Sequence, residues 1–306
     1  MSRKKVSVVI TSYNQKQYMM EAVESVLSQT YPVHEIIIAD DGSTDGSVEV
    51  VKDFMHKYPD RIIGVLNPSN QGIPKNRNTG LERVTGEYVF ILDGDDHFLP
   101  QNVERMLDFL DRNPDYRCVY SNLKFVDAEG QLLFLRYQDD QPSGEIFFEI
   151  ALGKFGILRS MIIDYALLRQ VGFMDERFPR YDGFELTVRL AKHGLIGYIP
   201  EPLVEFRVYP NSDSKGLKAR DHLNDLEGIY TKMKPLLKDF SRAQRKELNR
   251  VWSERLRKYF IEDFTENTRG VQLRFLRFVL LFRGYLKLQD FLKPLERNIH
   301  KRSDKT

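Results

Sequence analysis

The feature that most restricts the fold of this chain is an alternation across its first 125 residues. Short, β-branched, almost wholly apolar runs each end in polar residues and are separated by stretches with helical spacing. Val6-Ser7-Val8-Val9-Ile10-Thr11 is apolar on both parities, as a strand covered on both faces must be. It leads to Tyr18, Ala22, Val23, Val26 and Leu27 at three- and four-residue steps, a helical stripe closed by Tyr31-Pro32. Further strands are expected at 35–40, 61–66 and 88–93, with helices around Val48, Val51, Phe54 and Met55, then at 74–84 and 101–110. Strands and helices joined this closely form right-handed βαβ units, hence an α/β fold with a mainly parallel, doubly wound sheet.

After Asn113-Pro114 the pattern becomes α+β. Strands are expected at 118–125, 132–137 (around a turn at Glu129-Gly130), 160–163 and 203–209, with an amphipathic helix at 184–193 closed by Gly194. From about residue 217 the chain reads as helices rich in Lys, Arg and Leu. The expected domains are therefore 1–215, divided at 113 into two halves, and a helical, basic extension over 216–306. A length of 306 residues with 42% hydrophobic content can bury such a core. Forty-six basic against 44 acidic residues argue against a surface built for nucleic acid. The single cysteine, Cys118, excludes an internal disulfide framework and suits a reducing compartment. No apolar run approaches the roughly 18 residues a membrane span needs, and the apolar stretch after the basic start is too short for a signal peptide. A cytoplasmic protein is expected.

Ligands of a doubly wound sheet lie beyond the carboxyl ends of its strands, and here those ends are acidic. The first ends in Thr11-Ser12-Tyr13-Asn14, the second in Asp40-Asp41-Gly42-Ser43 and the fourth in Asp93-Gly94-Asp95-Asp96, so five carboxylates and an aromatic ring are expected along one edge. Like charges in one cleft raise each other's pKa unless a cation neutralises them. Hard divalent cations accept oxygen ligands and bridge carboxylates to substrate phosphates. Asp93, Asp95 and Asp96 thus point to a Mg²⁺ or Mn²⁺ site for a phosphate-bearing ligand; the bland reading is a solvated turn. No G-x-G-x-x-G follows the first strand and no Walker-type loop is present.

These pieces, together with Ser25-Val26-Leu27-Ser28-Gln29-Thr30-Tyr31, Asn70-Gln71-Gly72, Arg77-Asn78-Thr79-Gly80 and Gly86-Glu87-Tyr88, stand in the order found in the family 2 inverting glycosyltransferases of the GT-A fold, which the chain resembles. The resemblance implies a GT-A (Rossmann-like) catalytic domain over 1–215, with a nucleotide-sugar half at 1–113 and an acceptor half at 114–215. It implies that Thr11 and Tyr13 line the nucleobase pocket and that Asp41 accepts a hydrogen bond from the base. Arg77 would reach the base or diphosphate, and Asp95 the ribose. Asp96 would bind the metal that bridges the diphosphate, with Asp93 supporting the cluster.

An inverting enzyme also needs a base opposite the leaving group, in the family usually the Asp of a Glu-Asp pair before a helix. Aligned on Leu186, Arg189 and Leu190, that position falls on Gly183, with Asp182 where the Glu normally stands. Asp182 is the expected base, aimed by a glycine free to adopt unusual backbone conformations, and Glu185 the second candidate; the alternative is that Asp182 caps the helix. Phe206-Arg207-Val208-Tyr209 places Tyr209 where the family often has His; Arg207 reaches the diphosphate or pairs with a structural acid.

The expected activity is metal-dependent inverting transfer from a nucleotide-sugar, UDP-linked in the first instance, to a hydroxyl of a glycan, glycoconjugate or lipid-linked acceptor in cell-surface polysaccharide biosynthesis. Two other classes stay open: a nucleotide-sugar-binding protein with impaired catalysis, motivated by Gly183 and Tyr209, and a metal-dependent nucleotidyltransferase. Residues 271–306 carry nine Lys/Arg against three acids, interleaved with Leu and Phe. That composition suits either peripheral attachment at the inner face of the cell membrane or a helix packed on the catalytic domain or in a homodimer interface. Nucleic acid is not an expected partner.

Overall fold

The computed structural model describes residues 3–153, 156–209 and 218–266. The chain divides into two compact units, Met1–Ser212 and Asp213–Thr306. In the first, β1 (Val6–Ser12) and β2 (Glu35–Asp40) are buried at every position, as their unbroken apolar runs require. β1 lies parallel to β2 on one side and to β4 (Tyr88–Asp93) on the other; β3 (Ile62–Leu66) extends the parallel set from β2. The register places Thr11 opposite both Ala39 and Asp93, and Ser12 opposite Asp40. The acidic ends of β2 and β4 therefore flank the end of β1 along one sheet edge.

Three helices cover these strands: α1 (Lys16–Leu27), α2 (Ser47–Lys57) and α3 (Ile73–Leu81). α1 buries Met19, Ala22, Val23 and Val26, each large side chain contributing roughly 1.5–3 kcal/mol. α3 sits close to the sheet because Gly80 faces β1, where an added Cβ would lie 2.5 Å from Val9. That close approach brings the next-turn residue Arg77 over the strand ends.

Beyond β4 the sheet turns mixed. β8 (Met161–Asp164) runs antiparallel to β4 and to β6 (Tyr116–Val126), β6 pairs parallel with β9 (Leu195–Arg207), and β9 carries the two-residue β5 (His97–Phe98) antiparallel at its far side. β7 (Leu132–Leu135) forms a hairpin with β6. The order is β3-β2-β1-β4-β8-β6-β9-β5, a mixed α/β sheet. The unit also contains α4 (Asn102–Arg112), α5 (Phe147–Ala151), α6 (Tyr165–Val171) and α7 (Asp182–His193).

The late strand begins eight residues before the position expected from its sequence. Pro200 and Pro202 lie inside β9, and proline in a run argues against a strand. The ladder tolerates them because its register slips where Ser121 faces Ile199 and Asn122 faces Pro202. The strand also ends at Arg207 rather than Tyr209. β5 is too short to leave any periodicity, yet it pins the turn after β4: His97 lies opposite Glu205, with Nε2 2.7 Å from the Glu205 carboxylate.

The second unit, by itself, contains α8 (Ala219–Met233), a 3₁₀ segment (Lys234–Asp239) and α9 (Arg242–Glu266). Trp252 is fully buried there against the Tyr230 ring, 5.2 Å between centroids. Among the described residues no helix is long and apolar enough to cross a membrane. The basic segment 271–306, with its expected membrane or dimer role, lies outside the described residues.

Candidate active site

Asp40 and Asp41 close β2 and are held by neutral donors. Asp40 accepts from the Ser43 amide at 2.9 Å and the Ser43 hydroxyl at 2.6 Å, which shapes the turn. Asp41, only 2% exposed, accepts from the backbone N–H of Gln71 and of Gly72, each at 2.9 Å, and from the Asn67 amide at 3.3 Å. Its carboxylate thus organises the loop over 67–72: Oδ1 accepts from both Gln71 and Asn67, while Oδ2 accepts from Gly72 alone and keeps a second lone pair. Beside it the Tyr13 ring is 42% exposed, while the Thr11 hydroxyl donates to Asp93 at 3.3 Å. A cavity of about 630 Å³ opens at the same end of β1, lined by Asn14, Lys16, Tyr18, Asp45 and Tyr209 among others.

The end of β4 is held by cations instead. Asp93, Asp95 and Asp96 each bring a carboxylate oxygen within 4.8 Å of the others. The pairing of β5 with β9 lays Arg207 against this turn. Its backbone N–H donates to Asp96 at 3.0 Å, its Nε to the Asp95 carbonyl at 3.2 Å, and its Nη1 to the Ala128 carbonyl at 2.7 Å. The same guanidinium pairs with Glu21 and lies over the Tyr18 ring. Arg207 is therefore built into the wall of the site, fastening the Asp95-Asp96 turn. Tyr209 donates its hydroxyl to Asp95 at 2.9 Å.

Two more arginines meet the cluster. Arg77 is buried and bridges two elements, donating to Asp93 at 2.6 Å and to Asp182 at 2.7 Å. Arg159, on the short 3₁₀ turn Leu158–Ser160, lies 2.9 Å from Asp93 and 3.4 Å from Asp96. Arg159 sits in no motif, and only the folded chain brings it here. Burial raises the Asp93 carboxyl, but the Arg77 and Arg159 charges outweigh this and hold it well below the usual carboxylate range. Burial and then the neighbouring aspartates push Asp95 up, and Asp96 well up. Burial, with the Asp95 charge, also raises the Tyr209 phenol.

The five carboxylates expected along one edge thus form two differently held groups. Four carboxylates around the β4 end (Asp93, Asp95, Asp96 and Asp182) are met by the guanidinium groups of Arg77 and Arg159, while Arg207 is matched by Glu21. With all four ionised, that leaves a deficit of two positive charges, presented by hard oxygen donors. The donor set fits a divalent cation of the Mg²⁺ or Mn²⁺ type. Two buried polar atoms here, Ser12 Oγ and Arg77 Nε, also lack a hydrogen-bond partner in the structure.

Asp182 is the first residue of α7 and does not cap it; the N-cap is Tyr181, without a side-chain cap. One Asp182 oxygen accepts from the Gly183 N–H at 2.8 Å and the other from Arg77. The expected reason for Gly183 is corrected. Its φ is not positive, so no unusual backbone conformation aims Asp182. Space explains it: a Cβ at 183 would lie 2.9 Å from Leu158 Cδ2. Glu185 is drawn into a different task. Arg189 Nε donates to its two oxygens at 2.9 and 3.0 Å, and the same guanidinium holds the carbonyls of Val171, Gly172 and Phe173. His97 faces Glu205 and is not part of the aspartate cluster. The Cys118 thiol is fully buried, which pushes it up to about 12 and leaves it an inert packing group.

The sequence profile described as Glycosyl transferase family 2 matches residues 7–173. EpsE of Bacillus subtilis (strain 168), which bears the name of a glycosyltransferase, is 30% identical over 218 residues, 71% of this chain and 76% of its own. Among solved structures, S. aureus TarS 1-349 in complex with UDP superposes with a TM-score of 0.66 at 18% identity, covering 91% of this chain and 80% of that one. The mannosyltransferase PcManGT from Pyrobaculum calidifontis, in complex with GDP-Man and Mn²⁺, gives 0.58 at 17% identity, covering 98% and 88%. At these identities the two structures establish the fold.

Proposed function

The chain belongs to glycosyltransferase family 2, and from that premise we propose that this glycosyltransferase moves a sugar from a UDP-linked donor to a hydroxyl of a glycan or glycoconjugate, with inversion and with a divalent cation. The observation that carries the reading is Arg77, whose one guanidinium ties Asp93 at the donor strand end to Asp182 on the opposite helix. A leaving-group site and a base are thereby fixed relative to each other.

In this reading Asp41 offers a remaining lone pair to the uracil N3–H and the exposed Tyr13 ring stacks on the base. Asp95 holds the ribose hydroxyls. Asp96, with Asp93 supporting the cluster, would hold Mn²⁺ or Mg²⁺, and the bound ion would offset the negative charge developing on the departing diphosphate. Asp182 removes the proton from the acceptor hydroxyl as its oxygen bonds to the anomeric carbon and the bond to the nucleoside diphosphate breaks. Arg77 keeps the carboxylate aimed while leaving a lone pair on each oxygen for that proton. The UDP preference is supported by the Asp41 geometry and by the UDP found in TarS.

Titration with a panel of nucleotide-sugars, with and without Mn²⁺, tests the donor and the metal. In the Asp182→Asn variant donor binding should persist while transfer falls by about 10²–10⁴-fold. Transfer at wild-type rate in that variant would remove Asp182 as the base.

A further inference from the structure

We infer that Arg159 is a resident counter-cation of the aspartate cluster, one that yields Asp96 when a divalent ion binds. The inference rests on the metal site proposed above and adds a residue to it. Its guanidinium Nη1 stands between two carboxylates, 2.9 Å from Asp93 and 3.4 Å from Asp96. Nη1 pairs with Asp93 by charge and reaches Asp96 through a long hydrogen bond, well beyond the usual 2.7–2.9 Å. Its hold on Asp96 is therefore loose, and the remaining oxygen of that carboxylate is engaged by the Arg207 N–H.

Two features make an exchange feasible. The Arg159 side chain is 44% exposed while the Asp96 side chain is 1% exposed, so the cation can withdraw toward solvent whereas the anion cannot. The guanidinium also lies over the Phe206 ring, 4.4 Å from its centroid, a surface it keeps after releasing Asp96. Without a metal, Arg159 limits the cost of burying Asp96 beside Asp93 and Asp95. With one, the dication and the guanidinium compete for the same oxygen. Arg159 therefore sets the metal affinity of the free enzyme and is a positioning residue, not a ligand.

Direct Mn²⁺ binding to the full chain, followed by electron paramagnetic resonance without nucleotide, tests this in wild type, Arg159→Gln and Arg159→Lys. The expected result is Mn²⁺ affinity at least about tenfold tighter in R159Q, because the competitor is gone, and restored toward wild type in R159K. The thermal midpoint of R159Q in EDTA should fall below wild type and recover on adding Mn²⁺. Equal or weaker Mn²⁺ binding in R159Q, or a fall in thermal midpoint that Mn²⁺ does not repair, overturns this inference while leaving the metal site standing. Absence of Mn²⁺ binding in all three proteins, with donor binding intact, overturns the metal site and this inference together.

Discussion

The ends of β2 and β4 both carry acidic, glycine-containing turns, Asp40-Asp41-Gly42-Ser43 and Asp93-Gly94-Asp95-Asp96, and flank the same strand. They are nevertheless different chemical objects. The first is held by backbone N–H groups, an amide and a hydroxyl. The second also accepts from two hydroxyls and a backbone N–H, but there Asp93 and Asp96 are paired with guanidinium groups and the cluster still carries more negative charge than they balance when it is ionised. Neutral donors satisfy a carboxylate while leaving it able to accept from another neutral donor such as a nucleobase N–H. Cationic partners mark a place where charge itself is managed, and where a further cation has a role.

Exchanging Asp for Asn at each end tests the contrast most strongly. Asp96→Asn should lower Mn²⁺-dependent transfer by about 10²–10³-fold or more, without lowering the thermal midpoint in EDTA, since Asn still accepts from the Arg207 N–H. Asp41→Asn should leave Mn²⁺ binding unchanged but destabilise the protein by roughly 2 kcal/mol, because hydrogen bonds to a charged acceptor organise the loop over 67–72. Denaturant titration and Mn²⁺ binding measured on both variants would show two separable losses. If Asp41→Asn weakened Mn²⁺ binding as much as Asp96→Asn, the two ends would be one site and the comparison would collapse.

Much of this contrast is legible before folding, and the remainder is hidden for physical reasons. β1, β2 and β4 announce themselves because strands buried on both faces are apolar at every position, and the acids that end them stand out against that background. The partners do not. Arg159 reaches Asp93 across 66 positions of chain, from a one-turn element with no periodicity. β9 is disguised by Pro200 and Pro202, which its irregular ladder absorbs, so the placement of Arg207 against Asp96 could not be read from spacing. Arg77 is visible as a motif residue, but that it joins Asp93 to Asp182 is a property of how closely α3 sits on the sheet. Sequence displays the anions well and the cations that organise them poorly.

A smaller effect concerns acid and base. Asp96 holds its proton to higher pH in the folded chain than in the unfolded one, because it is buried beside Asp95 and Asp93. A carboxyl raised in this way costs no stability below its unfolded value of about 3.9 and an increasing amount as pH rises toward and through its folded value. Asp93 has the opposite sign: held down by Arg77 and Arg159, it contributes stability above about 3.9 that is lost as pH falls through its lower folded value. In EDTA, the stability of Asp96→Asn minus that of wild type should therefore grow as pH rises above about 3.9, and Mn²⁺ should diminish the difference. A flat difference at Asp96 would mean its charge is already balanced without a metal.

The smallest expected change separates two accounts of Gly183, which stands next to Asp182 at the cationic end of the site. If the glycine served by adopting a backbone conformation closed to other residues, Gly183→Ala would strain the first turn of α7 and cost several kcal/mol. The observed backbone needs no such freedom. An alanine Cβ would instead meet Leu158 Cδ2 at 2.9 Å, the far end of a flexible side chain that can move a few tenths of an ångström. Against that contact stands the gain from replacing Gly by Ala within a helix, about 0.5–1 kcal/mol. The two nearly cancel, so Gly183→Ala should shift unfolding by no more than about 1 kcal/mol in either direction. Combining it with Leu158→Ala separates the contributions, because the contact disappears and only the helical gain remains. Relative to Leu158→Ala alone, the added Gly183→Ala should then be stabilising, whereas a backbone requirement at 183 would keep it destabilising whatever stands at 158.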